Sequence, residues 1–149
     1  MKEARHFSVA RKKPMKTEFP GLHAGLEGVA EITVENQHTA QHVGSGHQKI
    51  LATPVMITLI EDAAQNAIDS LLPDSCQTIG TGIHVRHLAA TPEGMRVIAR
   101  VRLTAVDGRN LTFQATVSDE KEMIGDGVHE RAIISVPVFT RLLARKRNK

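Results

Sequence analysis

The chain has 149 residues, 41% hydrophobic and 23% charged, which fits one domain large enough to bury a core without cross-links. Its single cysteine, Cys76, excludes an internal disulfide and a cysteine-only metal cluster, and no apolar run approaches the roughly 18 residues of a membrane span. The net charge of +3 conceals two basic ends: residues 1–16 hold six Lys or Arg and residues 141–149 five, leaving eight against 15 acidic residues in 17–140. With no Trp, no Tyr and four Phe, stacking platforms for nucleic acid are nearly lacking, so a nucleic-acid partner is not expected. The basic N-terminus has no apolar stretch behind it, so a cytoplasmic location is expected.

In chain order, residues 1–20 lack periodicity and are read as a basic N-terminal arm. "LEGVAEITVE" (26–35) alternates as a strand does, and the polar "NQHTAQHVGSGHQK" (36–49) is read as a mobile loop. A helix is predicted from Thr53 to about Leu72, stopped by Pro73. Four strands follow: 78–90 up to the turn "TPEG", 95–106 up to "DGRN", 111–119, and 122–138. Alternation is clearest in Val97, Ala99, Val101, Leu103 and in Leu111, Phe113, Ala115, Val117, and the short turns predict an antiparallel meander. Residues 21–140 thus form one α+β domain, with the sheet wrapped around the long helix. Residues 141–149 are a basic tail, and "FTRLLARKRNK" is read as ending in a short basic helix.

The helix carries adjacent carboxylates in different settings. On a wheel at about 100° per residue, Ile60, Ala63, Ala64, Ala67 and Leu71 cluster with Met56. Asp62 falls on the opposite side, whereas Glu61 lies about 140° from Met56, at the border of the apolar stripe. There it is either a boundary charge reaching water or a carboxylate made more basic by partial desolvation. Thr53 before Pro54 suits an N-cap, and the same hydroxyl stands where the helix dipole favours developing negative charge. On the strand "GIHVRH", Ile83, Val85 and His87 share one face, with His84 and Arg86 opposite. An inward His87 is a packed core residue or, within reach of Glu61, a group able to polarise a carbonyl or protonate a leaving group. The eight histidines show no HExxH spacing, and His129-Glu130 lacks the second histidine, so no metal is expected. No GxSxG elbow or phosphate-binding glycine loop occurs, and Cys76 has no evident partner.

Together, "LATPVMITLIEDAA", "TIGTGIHVRHLAATPEGM", "DGRNLTF" and "IGDGVHERA" resemble, in order and spacing, the hot-dog-fold thioesterases related to fluoroacetyl-CoA thioesterase, over about residues 26–140. The resemblance implies a homodimer with active sites at the subunit interface, an acyl-CoA substrate whose coenzyme A is the only cofactor-like group, and no metal. It implies a catalytic set matched here by Thr53, Glu61 and His87, and substrate-binding positions at Gly80, Thr81 and Arg131. The fluoroacetyl-specific member carries lid phenylalanines before the helix. This chain has Gly44 and His47 at those positions, which implies a more open mouth and another small acyl group. Two rival functions share the fold: a non-catalytic acyl-CoA-binding module and an enoyl-CoA hydratase.

Overall fold

The computed structural model describes residues 18–149. Most of the basic N-terminal arm therefore lies outside the described residues. Its last residues are packed: Phe19 is buried beneath the Arg109 guanidinium, which also pairs with Glu18.

Five strands form one antiparallel sheet: β1 (Glu27–Thr33), β2 (Cys76–His87), β3 (Arg96–Asp107), β4 (Asn110–Ser118) and β5 (Met123–Ser135). Their spatial order is β1-β3-β4-β5-β2. The expected four-stranded meander is therefore a three-stranded one, β3-β4-β5. β2 is detached from its neighbour in sequence and paired with β5 at an edge. The cause is the connection after His87. "TPEG" does not fold back as a hairpin, because the Thr91 carbonyl accepts from Leu51 N–H and Pro92 bridges to Ile50, so the chain crosses over before β3 begins. The true hairpins are tight. Gly108, at φ 60, turns β3 into β4, and the Asp119 carboxylate caps the backbone N–H groups of Lys121 and Glu122 before β5.

The alternation in β3 and β4 buries all eight inward residues from Val97 to Val117 against the helix α2 (Thr53–Ile68). That helix turns Met56, Leu59, Ile60, Ala63, Ala64, Ala67 and Ile68 into the curve of the sheet, and leaves Asp62 exposed. Three alanines allow a close approach. A Cβ on Gly28 of β1 would collide with the Ala63 carbonyl and lie 2.8 Å from the Ala67 Cβ. Leu71 does not join the stripe: α2 ends at Ile68 and a 3₁₀ turn, Asp69–Leu71, rotates it outward to 41% exposure.

The segment read as a mobile loop is ordered by short-range structure. It contains a 3₁₀ turn, Asn36–His38, and a single helical turn, α1 (Ala40–Val43), capped by the Thr39 hydroxyl and ended by Gly44 at φ 90. Thr39 is fully buried and bridges to Leu51, which pins both ends of the segment. Elements of three or four residues are too short to show a periodicity. A last helix, α3 (Val136–Arg147), spans the expected boundary between residues 140 and 141 and buries none of its side chains. No helix among the described residues is long and apolar enough to cross a membrane.

Candidate active site

At the start of α2 the cap is not the one expected. Ala52 occupies the N-cap position, with φ −69 and ψ 138, and Thr53 is the first helical residue. Val55 and Met56 donate to the Ala52 carbonyl and Pro54 has no N–H. The Thr53 N–H is left with no backbone acceptor among the described residues. The Thr53 hydroxyl, freed from capping, lies 2.8 Å from Nδ1 of His87 at the end of β2. His87 points inward with Ile83 and Val85, as the alternation predicts, while His84 and Arg86 are exposed. Burial lowers the His87 pKa below 6.5, against a smaller opposing effect of the nearby Ala89 backbone. The imidazole is therefore mainly neutral at pH 7. Its Nε2 is buried and has no hydrogen-bond partner among the described residues.

Two turns along, a second polar group surrounds Glu61. Arg131 of β5 is 3% exposed, and its Nη1 donates to Glu61 Oε2 at 3.3 Å. Its Nε donates to the Thr78 hydroxyl at 2.9 Å and its Nη2 to the Thr78 carbonyl at 3.0 Å. His129, also on β5, places Nε2 3.2 Å from Arg131 Nη1 and Nδ1 2.8 Å from the Gly82 carbonyl. The Glu61 carboxylate also lies over Gly80, where a Cβ would come within 2.8 Å of Oε2. The side chain of Glu61 is 38% exposed, with a guanidinium beside it, so it is not the desolvated apolar border that the helical wheel allowed.

The strand phase that assembles this group depends on a bulge. Between Gly80 and Gly82 the β2–β5 register shifts by one residue. Gly80 opposes the inward Arg131, and Ile83 opposes the inward His129, although 80 and 83 differ in parity. Thr78, Gly80, Ile83, Val85 and His87 thus all face the helix side. Thr81 is the extra residue. It is exposed and shares a shallow recess with Asn110, Thr112, Glu130 and Arg131.

Five of the six residues predicted for the site fall into two places in one subunit, and the exposed Thr81 lies outside both. Thr53 joins His87, and Glu61 joins Arg131 and Gly80; no hydrogen bond links the two sets among the described residues. Thr53 and Glu61 are eight residues apart on a helix rising 1.5 Å per residue, hence about 12 Å apart. Sequence reasoning missed Thr78 and His129. Their partners lie 53 and 47 residues away in the chain, and only the shared inward phase of 129 and 131 hinted at one of them. Among the described residues, no group of three or more His, Cys, Asp or Glu side chains could hold a metal ion.

An antiparallel five-stranded sheet curled around one long helix defines a hot-dog-fold protein. Known proteins narrow that class. The model of the family described as fluoroacetyl-CoA-specific thioesterase matches residues 34–137. The chain is 36% identical over 105 residues to the fluoroacetyl-CoA thioesterase of Streptantibioticus cattleyicolor, an overlap of 66% of this chain and 76% of that one. A solved structure of a fluoroacetyl-CoA thioesterase matches with a TM-score of 0.80 and 30% identity, covering 85% of this chain and 98% of the other. A Thermus thermophilus hypothetical protein, described as a thioesterase superfamily member, matches with a TM-score of 0.75 and 27% identity, covering 85% and 97%. The chain belongs to the fluoroacetyl-CoA-specific thioesterase family and is a thioester hydrolase by that membership.

Proposed function

We propose that this protein hydrolyses a small acyl-CoA thioester other than fluoroacetyl-CoA, as a homodimer, with Thr53, Glu61 and His87 as its catalytic groups. The observation that carries the reading is the Thr53–His87 pair at the start of α2, whose buried Nε2 has no hydrogen-bond partner among the described residues. The Thr53 N–H and hydroxyl lie at the positive end of the helix dipole, suited to a carbonyl oxygen gaining charge. When the Thr53 hydroxyl donates to Nδ1, the neutral imidazole presents Nε2–H to the carbonyl or to the departing thiolate. Glu61 supplies the attack, either directly on the carbonyl carbon or by taking a proton from water. Single-turnover hydrolysis in ¹⁸O-water separates these routes, because label enters the Glu61 carboxylate only in the first.

A separation of about 12 Å between Thr53 and Glu61 is too large for one acyl group within a single subunit. The outer edge of β2, which has no strand partner among the described residues, supports a dimer that solves this. The twelve-residue strand pairs with β5 on one side and presents the other edge as a ready surface for a second copy. Antiparallel pairing of two β2 edges sets the Gly80 end of one subunit beside the His87 end of the other. Each site would then take Glu61, Gly80 and Arg131 from one subunit and Thr53 and His87 from its partner.

The substrate follows from the segment before α2. Gly44 and His47 are both exposed and neither supplies an aromatic ring. The mouth they leave fits a broader or more polar acyl group than a closed lid does. Thiol release measured over acyl-CoAs of graded length and polarity, with fluoroacetyl-CoA among them, tests the proposal. A small acyl-CoA should be turned over with a higher kcat/KM than fluoroacetyl-CoA. Calorimetric binding of the panel without thiol release from any member would overturn it in favour of a binding module.

A further inference from the structure

We propose that His129 is a positioning residue for this reaction: with Nε2 as acceptor and Nδ1–H as donor, it holds the Arg131 guanidinium against Glu61. The inference rests on the catalytic reading of Glu61 given above and adds a residue outside the predicted site.

The tautomer follows from counting protons. Arginine carries donors only, so the nitrogen of His129 that meets Arg131 Nη1 at 3.2 Å must present a lone pair. That nitrogen is Nε2, and the ring proton is therefore on Nδ1, which donates to the Gly82 carbonyl at 2.8 Å. Every polar atom of the ring is used and its direction is fixed at both ends. The ring is 2% exposed and stacks on Phe113 of β4, with centroids 6.3 Å apart and planes at 28°, so rotation is blocked as well. Burial also favours the neutral ring, with the Arg131 charge acting in the same direction; the Gly82 hydrogen bond and the charges of Glu61 and Glu130 oppose.

Two consequences meet at Glu61. Arg131 Nη1 has its direction set by a buried acceptor besides the carboxylate, so the carboxylate meets a guanidinium already fixed in place. The bond to Gly82 also fixes the bulge that brings the Gly80 backbone beneath Oε2. A packing residue would need neither bond. Phenylalanine would fill the same space and keep the stack on Phe113, while glutamine would keep an acceptor for Arg131.

The test combines a spectroscopic signature with rescue by the conservative variant. ¹⁵N NMR of histidine-labelled protein near pH 7.5 should show a His129 ring protonated at Nδ1 and bare at Nε2. His129→Phe should lose about 10- to 100-fold in kcat with little change in KM, by analogy with the scale for groups that orient metal ligands. His129→Gln should recover most of that loss. A His129 ring protonated at Nε2 would overturn the inference, and so would wild-type kcat in His129→Phe. Should the phenylalanine variant fail to fold, the NMR signature of the wild-type protein still decides. Wild-type turnover in Glu61→Gln would instead sink the catalytic reading of Glu61 and leave the tautomer of His129 as a separate, measurable fact.

Discussion

The two ends of the polar stretch on α2 differ in what their groups have left to give. At the first turn, Thr53 and His87 satisfy each other through one bond and leave Nε2 without a partner among the described residues. Around Glu61, Arg131 donates to Thr78, Glu61 and His129, and His129 spends both its nitrogens. A buried polar atom without a partner costs roughly 1–3 kcal/mol, so the first end is held at a cost that a ligand can offset. The second end is prearranged and self-sufficient, which suits a group that must hold its direction before substrate arrives. One end is built to receive and the other to aim.

Substitutions can break this contrast, and the largest effect belongs to Glu61. Glu61→Gln removes the charge while keeping an acceptor for Arg131. Turnover should fall by about 10³-fold or more, within the range for loss of acid–base function, with the thermal midpoint nearly unchanged. Equal loss of rate and stability would mean that the pair with Arg131 is structural. His87→Ala, at the receiving end, should lower kcat by about 10²-fold and leave the dimer intact by light scattering. Two glycines sharpen the comparison further. Gly80→Ala pushes a Cβ to 2.8 Å from Glu61 Oε2, the far end of a flexible side chain, so about tenfold in rate should be lost and little stability. Gly28→Ala drives a Cβ into the Ala63 backbone carbonyl instead, and should cost about 1–3 kcal/mol in urea denaturation.

The smallest effect is that of pH. The pKa values of His87 and His129 are both lowered from 6.5, chiefly by burial, so the unfolded chain binds more protons than the native one just below 6.5. Their contribution to stability should be complete above 6.5 and fade as pH falls through the two folded values. Urea midpoints measured across that window should decline with acid, less steeply in His129→Gln. A flat profile in the wild type would contradict the burial of the neutral rings.

Much of the scaffold was legible because it repeats. The alternation of Val97 to Leu103 and of Leu111 to Val117, and the stripe from Met56 to Ala67, are local patterns that burial reads directly. What lay beyond local pattern was pairing. β2 and β3 are adjacent in sequence and apart in the sheet because the Leu51 and Ile50 contacts divert the chain between them, and no turn signal encodes that. The cap at Thr53 was displaced by one residue, the ordinary uncertainty of a helix end, yet that shift frees the hydroxyl for His87. Glu61, His87 and Arg131 were visible as chemistry on a known face or motif. His129 shows in the sequence only as half of a metal motif, since its partners are fixed only when three strands and a helix meet.

The bulge at Gly80–Gly82 makes the length of β2 discrete. Removing Thr81 would restore simple alternation with Thr78, Gly80, Ile83, Val85 and His87 still on one face, because the extra residue is what offsets their parity. Lengthening the strand by one residue between the bulge and His87 would instead turn part of that face to solvent. A change of two residues would keep both faces but move His87 by about 6.6 Å, beyond reach of Thr53. Between the bulge and His87, insertions and deletions therefore have no neutral size, whereas residues 141–149, whose side chains are all exposed, can change length freely.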